Sequence, residues 1–316
     1  MKNSSDLILV ALKLLGCNQK TLAEKLEVSA TQITKWKGGE YMSVDMREKI
    51  EGMLSLKGMP PNMVLMAGSV ESATEWMSLV YHLADIVSGM AETGYITTPL
   101  IDEFELKSLG WSTFFTLEQM GVALPSSFPD ELKNIAEIYN NDSEISEAAH
   151  ELVINNPYAS IIYRMYLKLN DVYGFYVAYI KELMNNEALD LFDTAACNIE
   201  ACLMDLAASK LNEEDTVLAT NFPSFRFKTN KDFSEWLMII KLTAIQHNIP
   251  LRAELLDMVS QSGDTLGCDA ERESLGFNKN RLHPDVYMNE LLIGMREIRL
   301  VLPHILNKLG IDENSI

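Results

Sequence analysis

Apolar residues recur along this chain at intervals of three and four, and runs that alternate apolar with polar residues over the length of a strand are scarce. That period puts apolar side chains on one stripe of an α-helix, so the pattern predicts an all-α fold. A first helix is expected from Asp6, as N-cap, to Leu15, with Gly16 ending it. Two short helices, Gln19–Leu26 and Ala30–Lys37, come next, followed by a turn at Gly38-Gly39. Ser43 caps a fourth through about Leu56, with Val44, Arg47, Ile50 and Leu54 on related turns. Gly58-Met59-Pro60-Pro61 is the clearest break in the first third.

Beyond it, residues 70–90 read as a helix carrying Trp76, Leu79, Val80, Leu83 and Val87. Thr98-Pro99 opens another, with proline at the favoured first position, and residues 111–120 form a further segment. Helices are expected at 130–139 and, started by Ser143, at 144–153. Ile162, Tyr166, Leu169, Tyr173, Tyr176, Ile180 and Leu183 alternate spacings of four and three, as do Leu189, Phe192, Ala196, Ile199, Leu203 and Leu206 after a polar Asn185-Asn186 turn. Two such stripes predict an antiparallel helical hairpin. Residues 222–227 read as a loop or short extended piece, 236–247 and 251–260 as helices, and the polar, glycine-containing 263–281 as a long loop. His283-Pro284 starts a final helix that Pro303 is expected to kink. No repeat of fixed length emerges.

Length and charge divide this helical chain. Its 316 residues suit about two domains, and 47% hydrophobic content supports packed cores. The net charge is −19, yet residues 1–57 hold nine Lys/Arg against seven Asp/Glu, which leaves −21 for the remainder. The expected organisation is an N-terminal helical domain at 1–57, a linker at 58–61 and a larger acidic helical domain at 62–316 for oligomerisation, effector sensing or partner docking. An acidic body repels phosphate, so any contact with nucleic acid falls to the first segment. No apolar run is long enough to span a membrane. The start is polar, and Leu7–Leu15 is broken by Lys13 and lacks a small-residue cleavage site, so no signal peptide is expected. Cys17, Cys197, Cys202 and Cys268 form no CxxC and read as reduced thiols of a cytoplasmic protein.

The residues at 18–37 meet the physical requirements of a helix-turn-helix. Leu22 and Leu26 supply the buried face of the first helix, and Ala23 is small where the helices cross. Val28 is the apolar residue of the turn, and Ser29 is placed to cap the second helix. Ile33 and Trp36 give that helix an apolar inner face, while Ala30, Thr31, Gln32, Thr34 and Lys35 leave the outer face polar or small enough to enter a major groove.

On these residues, with Gln19, the Leu22-Ala23-Glu24-Lys25-Leu26 run and the trailing Lys37-Gly38-Gly39, the segment resembles the lambda-repressor-like (Cro/CI, XRE) DNA-binding domain. The resemblance covers about the first 57 residues and leaves the body unrecognised. It departs at Glu27, where the family has a turn glycine, and at Lys37, where an acidic residue is often found. It implies that Gln19 bonds a phosphate and braces the recognition helix. It further implies that Thr31, Gln32 and Lys35 reach base edges, with Ala30 and Thr34 of second rank, and that Lys20, Lys37, Gly38, Gly39 and Tyr41 contact phosphates. The implied function is a sequence-specific transcriptional regulator of double-stranded DNA, a repressor of phage or mobile-element type. Few phosphates are neutralised by one copy, which points to a homodimer. The alternative is an interaction module, antitoxin-like or anti-defence, whose acidic body binds a partner while the helix-turn-helix autoregulates.

Catalytic and metal motifs are missing from the sequence. His82, His150, His247, His283 and His304 are scattered, there is no HExxH, Walker or GxGxxG pattern, and the carboxylates follow solvated faces. Neither an enzyme nor a cofactor is expected. Tyr158, Tyr163, Tyr166, Tyr173, Phe175, Tyr176 and Tyr179 form a dense aromatic cluster. Three readings of it stand: a helical core, a dimer interface, or a pocket for a small-molecule, peptide or protein effector, with Tyr166, Tyr173 and Tyr176 at its centre.

Overall fold

The computed structural model describes residues 4–56, 58–101, 103–125, 127–133, 143–247, 249, 251–252, 254–255, 257–277 and 284–310, without the side chains of 103–107, 143–148, 284–290 and 307. The fold is all-α, and no strand occurs among the described residues. Two compact units divide the chain: Met1–Ala91, Thr97–Leu169 and Leu211–Arg226 form the first, and Glu92–Ile96, Asn170–Lys210 and Phe227–Ile316 the second.

The first unit begins with α1 (Ser4–Leu14), α2 (Gln19–Leu26), α3 (Ala30–Lys37) and α4 (Val44–Met53). Asp6 does not cap α1; the helix starts earlier, and Asp6 sits in its first turn, where a negative charge favours the helix dipole. Gly16 ends α1 at φ 56°, and Cys17 N–H donates to Leu12 O at 3.2 Å, so the last carbonyls are satisfied by a left-handed cap. Next come α5 (Pro61–Ala67) and α6 (Val70–Ser88), the latter capped by Ser69. Because α5 packs on α1, the Gly58–Pro61 break lies inside the first unit.

After α7 (Thr98–Ile101), α8 (Glu103–Met120) runs unbroken through the 111–120 segment. At Gly110 of α8 the Met77 side chain of α6 fills the space that a Cβ would take. The C-terminal carbonyls of α8 are satisfied from far along the chain: Asn221 N–H donates to Met120 O at 2.9 Å and Asn221 Nδ2 to Gln119 O at 3.0 Å. Of the helix expected at 130–139, the described part is a single 3-10 turn, Asp130–Leu132, and residues 134–139 lie outside the description. The unit's core centres on Trp76, fully buried and met edge-on by Phe114, Phe128 and Tyr158.

Further along are α9 (Ser143–Asn155) and α10 (Pro157–Tyr179), which contributes residues to both units. In the second unit, α11 (Lys181–Met184), α12 (Asn198–Ala201) and α13 (Leu203–Ser209) are short. The expected second arm of a hairpin, 189–206, is instead a series of 3-10 turns followed by the short helices α12 and α13. Asn186 and Thr194 side chains bond backbone N–H groups two residues on, and Asp190 is left-handed at φ 48°. These polar side chains offer the backbone an alternative to helix. Leu189, Ala196, Ile199, Leu203 and Leu206 are nevertheless buried, whereas Phe192 is exposed.

Three more expectations are corrected. Residues 222–227 are not a loop but the start of α14 (Phe222–Gln246), where Pro223 occupies the first turn and costs no hydrogen bond. Of the helix expected over 251–260, the described residues form α15 (Asp257–Ser260), and 253 and 256 lie outside the description. Within 263–281, α16 (Gly263–Ser274) replaces the expected loop, capped by Ser262 and anchored by buried Leu266 and Ala270 one turn apart. Finally, α17 (Pro284–Leu309) carries Pro303 within it.

Candidate nucleic-acid interface

Local sequence builds the α2–α3 pair almost unaided. Asn18 caps α2, its side chain accepting from Thr21 N–H at 2.9 Å. At the other end Glu27 is left-handed at φ 61°. Val28 N–H donates to Ala23 O at 3.0 Å and Glu27 N–H to Glu24 O at 3.3 Å, the paired bonds of a Schellman turn. A glutamate therefore stands where glycine would be unstrained. Ser29 then caps α3, accepting from Gln32 N–H at 3.2 Å.

Beneath the pair, Leu22, Ala23, Leu26, Ile33 and Trp36 are buried and Val28 is half-buried. Leu7, Ile8, Val10 and Ala11 of α1 and Ile50 of α4 are buried in the same unit. Trp36 Nε1 donates to Tyr41 O at 3.0 Å, so its one polar group is satisfied and the loop after α3 is tied to the core. Ser5 and Ser4 of α1 hold that loop from the other side, donating to Lys37 O and Glu40 O, each at 2.8 Å. Gly39 turns the chain at φ 88°.

The outer side of the pair is polar. Ala30, Thr31, Thr34 and Lys35 are exposed and Gln32 is half-buried. Thr34 Oγ1 donates to Gln19 Oε1 at 3.3 Å, which links the start of α2 to the middle of α3. Lys20, Lys37, Gly38 and Gly39 are exposed, and Tyr41 is exposed at 84%. Lys35 pairs with Glu40 at 3.5 Å, both well exposed. Sequence reasoning gave no role to Glu40, Asn18, Ser4 or Ser5. Asn18, three residues before Thr21 at a helix start, was legible from capping rules; the ion pair depends on how the Gly38-Gly39 turn folds back. From 18 to 41 four lysines face three glutamates, so this face is only weakly basic.

The tyrosines lie elsewhere and are closed. Tyr166, Tyr173 and Tyr176 are at most 2% exposed. Tyr166 and Thr113 share a hydroxyl hydrogen bond of 2.7 Å, and burial pushes the Tyr166 phenol well above its ordinary range. Burial does the same to Tyr176, which also hydrogen-bonds Glu200. Tyr179 donates to Asp269 O at 2.8 Å. These three side chains are packed core and line no open surface.

A cavity of about 750 Å³ sits in the first unit instead, walled by Asp6, Glu51, Met59, Asn62, Trp111 and Phe115, with the last two rings stacked 4.9 Å apart. Its volume is that of a small-molecule pocket. Among the described residues no group of His, Cys, Asp and Glu is placed to hold a metal, all four cysteines are free thiols, and no helix is long and apolar enough to cross a membrane. His283 lies outside the described residues, and His82 is half-buried, where desolvation lowers its pKa despite nearby Asp85. Neither a protein-family model, nor a curated protein, nor a solved structure matches the chain.

Proposed function

We propose that this chain is a sequence-specific DNA-binding transcriptional regulator acting as a homodimer, with α2 and α3 as its helix-turn-helix and α3 as the helix that enters the major groove. The observation that carries the reading is the two-sidedness of α3. Ile33 and Trp36 are buried, while Ala30, Thr31, Thr34 and Lys35 stand in solvent and Gln32 at its edge. Such a helix presents donors, acceptors and small groups of the size a base edge requires. The charge split supports the same placement, because the rest of the chain, at −21, repels phosphate. The weak basicity of one copy supports a pair, since two half-sites double the phosphate contacts.

Selection of binding sites from random double-stranded DNA tests this. The expected result is enrichment of a palindrome with half-sites one helical turn, or a multiple of it, apart. Absence of enrichment at low salt overturns the reading.

A further inference from the structure

The final helix leaves apolar side chains in water along its described length. Leu291, Met295, Ile298, Leu302, Ile305 and Leu309 are exposed by 42% to 65%. They follow one another at spacings of four, three, four, three and four. This is the alternation of a heptad seam, and on a helix of 3.6 residues per turn the six fall within an arc of about 80°. Leu292 and Val301 flank the stripe and are exposed too, while Leu300 lies on the opposite side. Leu306 is the buried side chain of this stretch, with Ile293 and Pro303 half-buried.

Two observations say what covers the stripe. The first is area: the six seam residues with Leu292 and Val301 expose on the order of 800 Å², one partner's share of a standard protein interface. The second is charge. Residues 284–309 hold Arg296, Arg299 and Lys308 against Asp285, Glu290 and Glu297, so the helix carries no net charge in a body that is otherwise strongly acidic. Two acidic copies that meet through α17 bring few carboxylates together, whereas most other faces would oppose like charges. The same helix on each copy, related by a two-fold axis, is self-complementary.

We infer that α17 is the element through which two copies of this chain associate, seam against seam. This deepens the homodimer reading above, and its test needs no DNA. Sedimentation equilibrium of the full chain should give twice the 35.6 kDa of one copy. Ile298→Glu combined with Leu302→Glu should return the mass to 35.6 kDa, with unchanged far-ultraviolet circular dichroism because both positions are already exposed. Leu300→Glu, on the opposite face, should leave the dimer intact. A wild-type chain that is monomeric at micromolar concentration overturns the inference, as does a double variant that remains dimeric or a Leu300→Glu variant that dissociates equally. A monomeric wild type that sediments with phosphatidylserine vesicles overturns it in favour of a membrane-surface helix. The two failures are distinguishable: a monomeric chain that still enriches a single half-site at low salt fails the dimer alone, and a dimeric chain that enriches no sequence fails the DNA reading alone.

Discussion

Two helices of this molecule, α3 and α17, both stand at the surface, and they are finished differently. On α3 the apolar residues are turned inward, with Ile33 at 0% and Trp36 at 5% exposure, and the outward residues are small or polar. Water satisfies such a face, and a phosphate or base edge can replace that water without leaving a group unpaired. On α17 an exposed stripe of Leu, Ile and Met runs along the helix beside exposed charged residues. Water does not satisfy that face; only another apolar surface does. On the proposed reading, the first is the surface that would exchange its solvent for DNA and the second the surface that a second copy would cover.

The largest expected effect comes from giving α17 an outer face like that of α3. Ile298→Glu with Leu302→Glu should weaken operator binding by about 10²- to 10⁴-fold, the avidity lost when two linked sites become one. Fluorescence anisotropy on full and half operators checks this, and an equal loss on both would break the argument. The reverse change, hollowing the buried side of α3, comes next. Trp36→Ala should cost about 3–5 kcal/mol and speed hydrogen exchange in the α2 and α3 amides. Unchanged exchange would show that the face does not depend on that core.

Smaller effects sharpen the account of the polar face itself. Lys35→Ala should lose about 1–3 kcal/mol of DNA binding and relax preference at one base position. If preference is unchanged, Lys35 is not in the groove. Glu27→Gly relieves a left-handed non-glycine and should raise stability in urea unfolding by about 1 kcal/mol, with the preferred DNA sequence unchanged. Glu40→Gln frees Lys35 from its exposed ion pair and should tighten DNA binding by about two- to fivefold at low salt. A loss of affinity instead would assign Glu40 to holding Lys35 in place.

How much of this was legible varies along the chain for a physical reason. In residues 18–37 every signal is local: Ser29 caps within three residues and the Leu22–Leu26 spacing is one helical turn. Even the departure at Glu27 was readable as a turn position, and it takes the left-handed conformation. In the body the stripes at 162–183 and 189–206 marked which residues are buried but not the element that buries them. Phe192 fell out of the stripe because the second segment begins as a set of turns, held by Asn186 and Thr194 side chains. α16 was hidden because its glycines lower helix propensity. One of them, Gly267, leaves room for Asp171, a contact that no local window contains.

By itself, then, the sequence determined the all-helical class, the caps and turns of α2 and α3, and the sign of the charge on each part. These follow from interactions within four residues or from counting. Tertiary structure alone decided that Tyr166, Tyr173 and Tyr176 are buried, that Lys35 meets Glu40, that α5 packs on α1, and that the α17 stripe is left exposed among the described residues. An apolar stripe reads the same in sequence whether it is buried or bare. The difference lies in which surfaces the rest of the fold brings to it, and periodicity carries no record of that.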